Sequence, residues 1–267
     1  MVYTSYTQKG GLYFLYPKGC WEGANQPHVC LPRQSSPKEL APSLIKGSRM
    51  DIIDKVFQQE DFSRQDLSDS RFRRCRFYQC DFSHCQLQDA SFEDCSFIES
   101  GAVEGCHFSY ADLRDASFKA CRLSLANFSG ANCFGIEFRE CDLKGANFSR
   151  ARFYNQVSHK MYFCSAYISG CNLAYTNLSG QCLEKCELFE NNWSNANLSG
   201  ASLMGSDLSR GTFSRDCWQQ VNLRGCDLTF ADLDGLDPRR VNLEGVKICA
   251  WQQEQLLEPL GVIVLPD

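Results

Sequence analysis

From Ile52 onward the chain sets a large apolar residue at every fifth position, a spacing that neither common secondary structure can use. A helix repeats its buried face near 3.6 residues and a strand near 2. The first run goes from Ile52 to Phe97. After a one-residue slip a second goes from Phe108 to Phe153, with only Cys133 off type, and a third from Phe163 to Ile248, broken in type only at Pro238. Phe or Leu fills 31 of the 38 places. No chance arrangement holds a register that long, so the chain is an internal repeat and is read as one before anything else.

A second column supports the register. Two residues before the large one stands a small one, as at Ala90, Cys95, Cys106, Ala111, Ala116, Cys121, Ala126, Ala131, Cys141 and Ala146. Residues two apart on an extended chain point the same way, so each pentapeptide is one short side with both apolar residues inward. Asp or Asn before the large residue and Ser after it face solvent. Gly or a charged residue stands at the corner that turns the chain, Gly with its tolerance of positive φ. Four sides close a square coil of about twenty residues, and coils stack at roughly 4.8 Å. The expectation is about nine coils and a rod roughly 45 Å long. Close packing around the axis explains why small residues alternate with large ones.

Units of the type A-(D/N)-L-x-x and C-x-F-x-x resemble those of the pentapeptide-repeat proteins. From Met50 onward the chain is similar to their Qnr quinolone-resistance branch, most of all its QnrA group. The stretches FCSAYISGCNL (163 to 173), LEKCELFENNW (183 to 193) and the ending LLEPLGVIVL carry the likeness. It implies an all-β, right-handed quadrilateral β-helix with two projecting loops and a short C-terminal helix.

Three segments are expected: a leader at 1–49, the repeat at 50–248 and a C-terminal capping or dimerisation segment at 249–267. The repeat does not extend into the leader, which holds five of the eight prolines, at 17, 27, 32, 37 and 42. The leader reads as unordered, or as upstream sequence before a native start at Met50, with a true N-terminal arm as the rival. Its longest apolar run, LYFLY, is too short for a signal peptide, and nothing in the chain suits a membrane span, so a reducing cytoplasm is expected. Residues 50–267 hold 21 basic and 30 acidic side chains, a net charge near −9. That balance opposes direct nucleic-acid binding and suits a basic partner or a surface imitating DNA; solubility alone is the plain alternative.

Several chemistries lack their residues. Of 17 cysteines, ten (75, 80, 85, 95, 106, 121, 141, 171, 186 and 226) fall in the small inward column, where Cys stands in for Ala. No C-x-x-C pair offers zinc or redox spacing. The four histidines, 28, 84, 107 and 159, are scattered, and no two glycines lie two apart to form a phosphate loop. A filled rod has no pocket for converging catalytic groups. No catalytic residue, metal site or cofactor is therefore expected, and the chain is read as no enzyme.

Function is sought where the repeat fails. The first irregularity, IESGAVEGC at 98 to 106, includes Glu99, Ser100, Gly101, Val103, Glu104 and Gly105. The second, YNQVSHKMY, is Tyr154, Asn155, Gln156, Val157, Ser158, His159, Lys160, Met161 and Tyr162. Solenoids place insertions as loops on a face, and tolerated bulges are the bland alternative. The resemblance implies that both loops engage the topoisomerase. It also singles out Gly105, Cys121, Cys141, Gly145, Phe163, Cys164, Ala166 and Leu208, read as supports of the rod and loop bases. Glu187, Asp207 and Asp227 should stack as an outward acidic column, one residue before Leu188, Leu208 and Leu228. In the tail, Trp251, Leu256, Leu257 and Leu260 are expected along a short helix ending near Gly261, with an apolar strand from Val262 through Val264 to Leu265. A cap over the coil end is one use for it; the resemblance implies tail-to-tail pairing into a homodimer. The function implied is protection of DNA gyrase and topoisomerase IV from quinolones by an acidic rod of DNA-like girth. Scaffolding or immunity toward another partner, and thiol-based metal or redox chemistry, are the alternatives.

Overall fold

The computed structural model describes residues 49–159 and 161–265. The expected leader, save Arg49, and Lys160 lie outside the described residues. From Met50 the chain winds as a right-handed quadrilateral β-helix. One face shows the stacking directly. Asp51–Ile53, Arg71–Arg73, Ser91–Glu93, Ser117–Lys119, Ile136–Arg139 and Ala166–Ser169 form a six-stranded parallel sheet. Its register places Ile52, Phe72, Phe92, Phe118, Phe138 and Ile168 one above another. Parallel bridges from Tyr167 through Glu187, Asp207 and Asp227 to Lys247 carry the column to Ile248. Most steps are 20 residues, four sides of five; the step from Phe92 to Phe118 is 26 and that from Phe138 to Ile168 is 30. The two longer steps contain the two interruptions of the repeat.

One unit shows how the recurrent pattern pairs its amides. The Phe82 N–H donates to the His107 carbonyl of the next coil (2.7 Å), and the His84 N–H to that of Ser109 (2.9 Å). Gln86 donates back to Gln65 (2.9 Å), and Cys85 closes the turn onto Phe82 (3.1 Å). Only the Ser83 N–H has no backbone partner, and the Asp81 side chain accepts it at 2.8 Å. Buried or stacked amides must be paired, so an Asp or Asn before the large residue completes the units that carry one, as Asp61, Asn127, Asn147 and Asp207 also do.

Inward, the large residues form ladders. Phe62, Phe82, Phe108, Phe128 and Phe148 stack at 4.7–4.9 Å, and neighbouring sides meet edge to face, as Phe77 and Phe82 do at 5.4 Å. Both are geometries that aromatic quadrupoles favour. From Leu173 on, the ladders turn largely to Leu.

The corners take charged and polar residues as well as glycine: in the first coil Asp54, Gln59, Arg64 and Asp69 all have φ of 56–59°. A left-handed residue costs about 1–2 kcal/mol, offset by the interstrand hydrogen bond that each of these corner N–H groups makes. Two expectations are corrected. Phe163 is not an inward residue of the third run. It is 49% exposed on an antiparallel arm, and the inward ladder resumes at Ile168. The tail strand is missing. Among the described residues 262–265 pair with no strand, and the Val262 N–H turns back to the Leu257 carbonyl at 3.2 Å. An extended segment without a neighbouring edge has no ladder to join.

The rest of the tail covers the last coil. Ala250–Gln252, Gln253–Leu257 and Glu258–Leu260 run as short helical turns ended by Gly261 at φ 76°. Buried Gln252 fits into the coil end, donating to the Leu228 and Ala231 carbonyls at 2.9 and 2.7 Å and accepting from the Cys249 N–H at 2.6 Å. Leu256 packs against the rod core, whereas Trp251, Leu260, Val262, Ile263 and Val264 face outward.

Candidate functional site: two excursions from the rod

The first excursion leaves the side carrying Phe97 and returns on the side carrying Phe108. Its neck is a single hydrogen bond, Cys106 N–H to the Phe97 carbonyl at 3.2 Å, the turn bond of an ordinary unit with six residues inserted. Ile98 tucks under the loop, and Ser96 Oγ donates to its carbonyl at 2.9 Å. A turn from Glu99 to Ala102 (3.1 Å) carries Ser100 and Gly101 at the tip, the latter at φ 83°. Glu99, Ser100, Val103 and Glu104 are exposed, Val103 by 85%. Gly105 is buried where a Cβ would meet the Ser124 carbonyl oxygen at 2.6 Å, so the chain re-enters only as glycine.

The second excursion is an antiparallel hairpin between the sides carrying Phe153 and Ile168. Tyr154–Ser158 pairs with Met161–Cys164, with a bulge between Gln156 and Ser158. The Ser165 N–H closes its neck on the Phe153 carbonyl at 3.0 Å. It thus reaches three residues beyond the segment 154–162 at which sequence periodicity fails. The Tyr154 and Tyr162 rings meet at 5.9 Å, and the Tyr162 hydroxyl donates to Glu184 Oε2 at 3.2 Å. Ser202 Oγ donates to the other oxygen of Glu184 at 2.6 Å. Phe163 packs edge-on against Phe134 at 5.2 Å. Asn155, Gln156, Val157, Ser158 and His159 point away, with Val157 and Met161 each 62% exposed. The excursions rise from diagonally opposite edges of the square section, since the first parts the second and third sides and the second parts the fourth side from the first.

Of the support residues, Cys121, Cys141 and Leu208 are inward, with the Cys121 and Cys141 thiols at 3.4 and 3.3 Å from the Phe92 and Phe118 carbonyls. Gly145, at φ 70°, lies against Leu125, whose Cδ2 would stand 2.7 Å from a Cβ. Buried Ala166 re-enters the core after the hairpin, and half-buried Cys164 ends the hairpin arm. Sequence reasoning did not find Glu184, Phe134, Leu125 or Cys182, which brace the excursions. The signal was an aromatic or a cysteine in an outward column for Phe134 and Cys182; Glu184 and Leu125 carried none.

Glu187, Asp207 and Asp227 do stack, as bridge partners in successive coils. Two of these carboxylates are occupied: Asp207 accepts the Ser209 N–H at 2.9 Å, and Asp227 accepts the Thr229 N–H and hydroxyl at 3.0 and 2.7 Å. Burial alone would raise Asp227, but the Thr229 hydrogen bonds and Lys247 at 3.7 Å hold it below the usual carboxylate range. Among the described residues, no group of three or more His, Cys, Asp or Glu is placed to hold a metal ion, and no helix is long and apolar enough to cross a membrane.

Residues 70–148 match the family model of a pentapeptide repeat region, and 182–215 and 218–248 match that of pentapeptide repeats in eight copies. A pentapeptide repeat protein of Vibrio parahaemolyticus is 58% identical over 167 residues, covering 62% of this chain and 77% of that protein. This chain belongs to the pentapeptide-repeat family. Within that family the chain is homologous to the QnrB proteins. QnrB4 of Escherichia coli is 43% identical over 90 residues, 34% of this chain and 42% of QnrB4. The solved structure of full-length QnrB1, a plasmid-mediated fluoroquinolone resistance protein, aligns over all of its own length and 79% of this pentapeptide-repeat chain. The identity there is 42% and the TM-score 0.77. These comparisons establish the Qnr likeness through QnrB, not through the QnrA group expected from sequence.

Proposed function

We propose that this chain binds DNA gyrase and topoisomerase IV in the cytoplasm and protects them from quinolones, without catalysing a reaction of its own. The observation that carries the reading is the alignment of the whole of QnrB1, a fluoroquinolone resistance protein, at 42% identity on one fold. The net charge near −9 over residues 50–267 favours a basic partner surface, of the kind that otherwise holds DNA. On this reading the rod docks by charge, and the hairpin anchors through Val157, Met161 and Tyr162, an apolar set exposed beside polar groups with reach. The loop at 99–105 makes the second contact, and the two weaken the drug-bound cleavage complex. Outward Trp251, Leu260, Val262 and Val264 form the self-complementary patch through which two copies pair tail to tail. The test is supercoiling by purified gyrase in ciprofloxacin with rising amounts of the protein. Restored supercoiling supports the proposal. Unchanged inhibition at saturating protein refutes it and turns attention to another partner.

A further inference from the structure

Ten of the described cysteines are explained by the small inward column. Cys164 and Cys182 are not. Cys164 ends the hairpin opposite Tyr154, and Cys182 takes the outward place before Leu183, where Ser202 and Asn222 stand in the coils that follow. Their Sγ atoms lie 3.5 Å apart, roughly 1.5 Å beyond a bonded pair. Both are half-exposed, whereas Cys95, Cys121 and Cys141 are sealed in the core beyond the reach of a soluble reagent.

We propose that Cys164 and Cys182 form a reversible disulfide that fastens the base of the hairpin to the rod. The oxidant is a soluble low-molecular-weight disulfide of the glutathione class. Cys182 gives its proton to solvent, and its thiolate attacks one sulfur of glutathione disulfide; that S–S bond breaks and one glutathione leaves as a thiol. Cys164, deprotonated in turn, attacks Cys182 Sγ and expels the second glutathione. Two protein thiols are oxidised and one glutathione disulfide is reduced to two thiols. Burial pushes the Cys164 thiol up to about 12, which makes it the second sulfur to react. Being held beside its target compensates for its scarce thiolate. The bond would join the returning hairpin arm to the coil bearing Leu183, next to Glu184, which already holds Tyr162. The inference rests on the two thiols and is independent of the protective function.

The full chain is incubated with glutathione disulfide at about pH 8, quenched in acid, alkylated and mapped by mass. The expected product is lighter by two hydrogens, with one linked peptide pair containing Cys164 and Cys182, and dithiothreitol reverses it. Hydrogen exchange over the hairpin then slows by at least about threefold. C164S should stop at a glutathione adduct on Cys182, and C182S should give no cross-link while melting like the parent. Both thiols remaining alkylatable, a cross-link between other cysteines, or hairpin exchange unchanged by the bond would overturn the proposal.

Discussion

Replacing Gly105 by Ala tests how the first excursion is built into the rod. A Cβ at 105 would stand 2.6 Å from the Ser124 carbonyl oxygen, 2.7 Å from Ala126 N and 2.8 Å from the Leu125 carbonyl carbon. All three atoms are backbone of the adjoining coil. That coil is held by hydrogen bonds from Leu125 to Lys144 (2.9 Å), Ala126 to Leu123 (3.1 Å) and Asn127 to Cys106 (3.1 Å). No flexible side chain can move aside, so the stack must part, at about 2–3 kcal/mol for an overpacked site. For a chain of this size that lowers Tm by about 4–12 °C. Gly101→Ala is the control. It has open space around its Cβ and φ 83°, so only backbone strain of about 1 kcal/mol applies. Thermal unfolding followed by far-UV circular dichroism should rank the parent above G101A and G101A above G105A. A G105A protein that melts with the parent, or above G101A, would refute the claim that the re-entry point is sterically closed.

Replacing residues 155–163 by Gly and Ser at equal length keeps the neck bond between Ser165 and Phe153. It should shift stability by under about 1 kcal/mol while raising the protein needed to rescue supercoiling at least about tenfold. The triple change E187Q, D207N, D227N retains acceptors for Ser209 and Thr229, so the fold should persist while gyrase affinity falls, more at low salt than at high. Asp115 is raised above the usual carboxylate range by burial first and by Asp89 next. Its charge therefore opposes folding above that range and ceases to as pH falls through it. D115N should then stabilise at neutral pH by under about 0.5 kcal/mol, with the gain gone near pH 3 in urea titrations. Truncation after Leu260 should yield a monomer by light scattering with the coils intact.

The coil itself was legible because its cause is local and repeated. A large residue every fifth place, a small one two before it and an Asx acceptor between them describe a unit whose amides are all paired, as Phe82 to Gln86 show. What sequence alone misjudged depends on neighbours far along the chain. Phe163 keeps the five-residue spacing yet sits on a hairpin arm, because the backbone turns antiparallel at 154–164 and spacing carries no sign of direction. Corners were expected to hold Gly or a charge, yet the aromatic Tyr175 and Phe230 also adopt φ of 61° and 62° there; for Tyr175 the stacking bond that sustains the corner comes from another coil. Gln252, the plug of the last coil, looks like any surface residue until the Leu228 and Ala231 carbonyls it satisfies are seen. Glu184 braces the hairpin from 22 residues downstream of Tyr162, a pairing no local pattern encodes.

Loosening of the quinolone-bound cleavage complex by the proposed gyrase contact is measured by counting that complex. Purified gyrase, supercoiled plasmid and ciprofloxacin are incubated with increasing protein, then denatured, and the linear DNA released is measured on a gel. Linear DNA should fall as the protein rises, and the hairpin-replaced protein should leave it nearly unchanged at equal concentration. Linear DNA that stays constant with the parent protein, under conditions where the protein is shown to bind gyrase, would contradict that loosening.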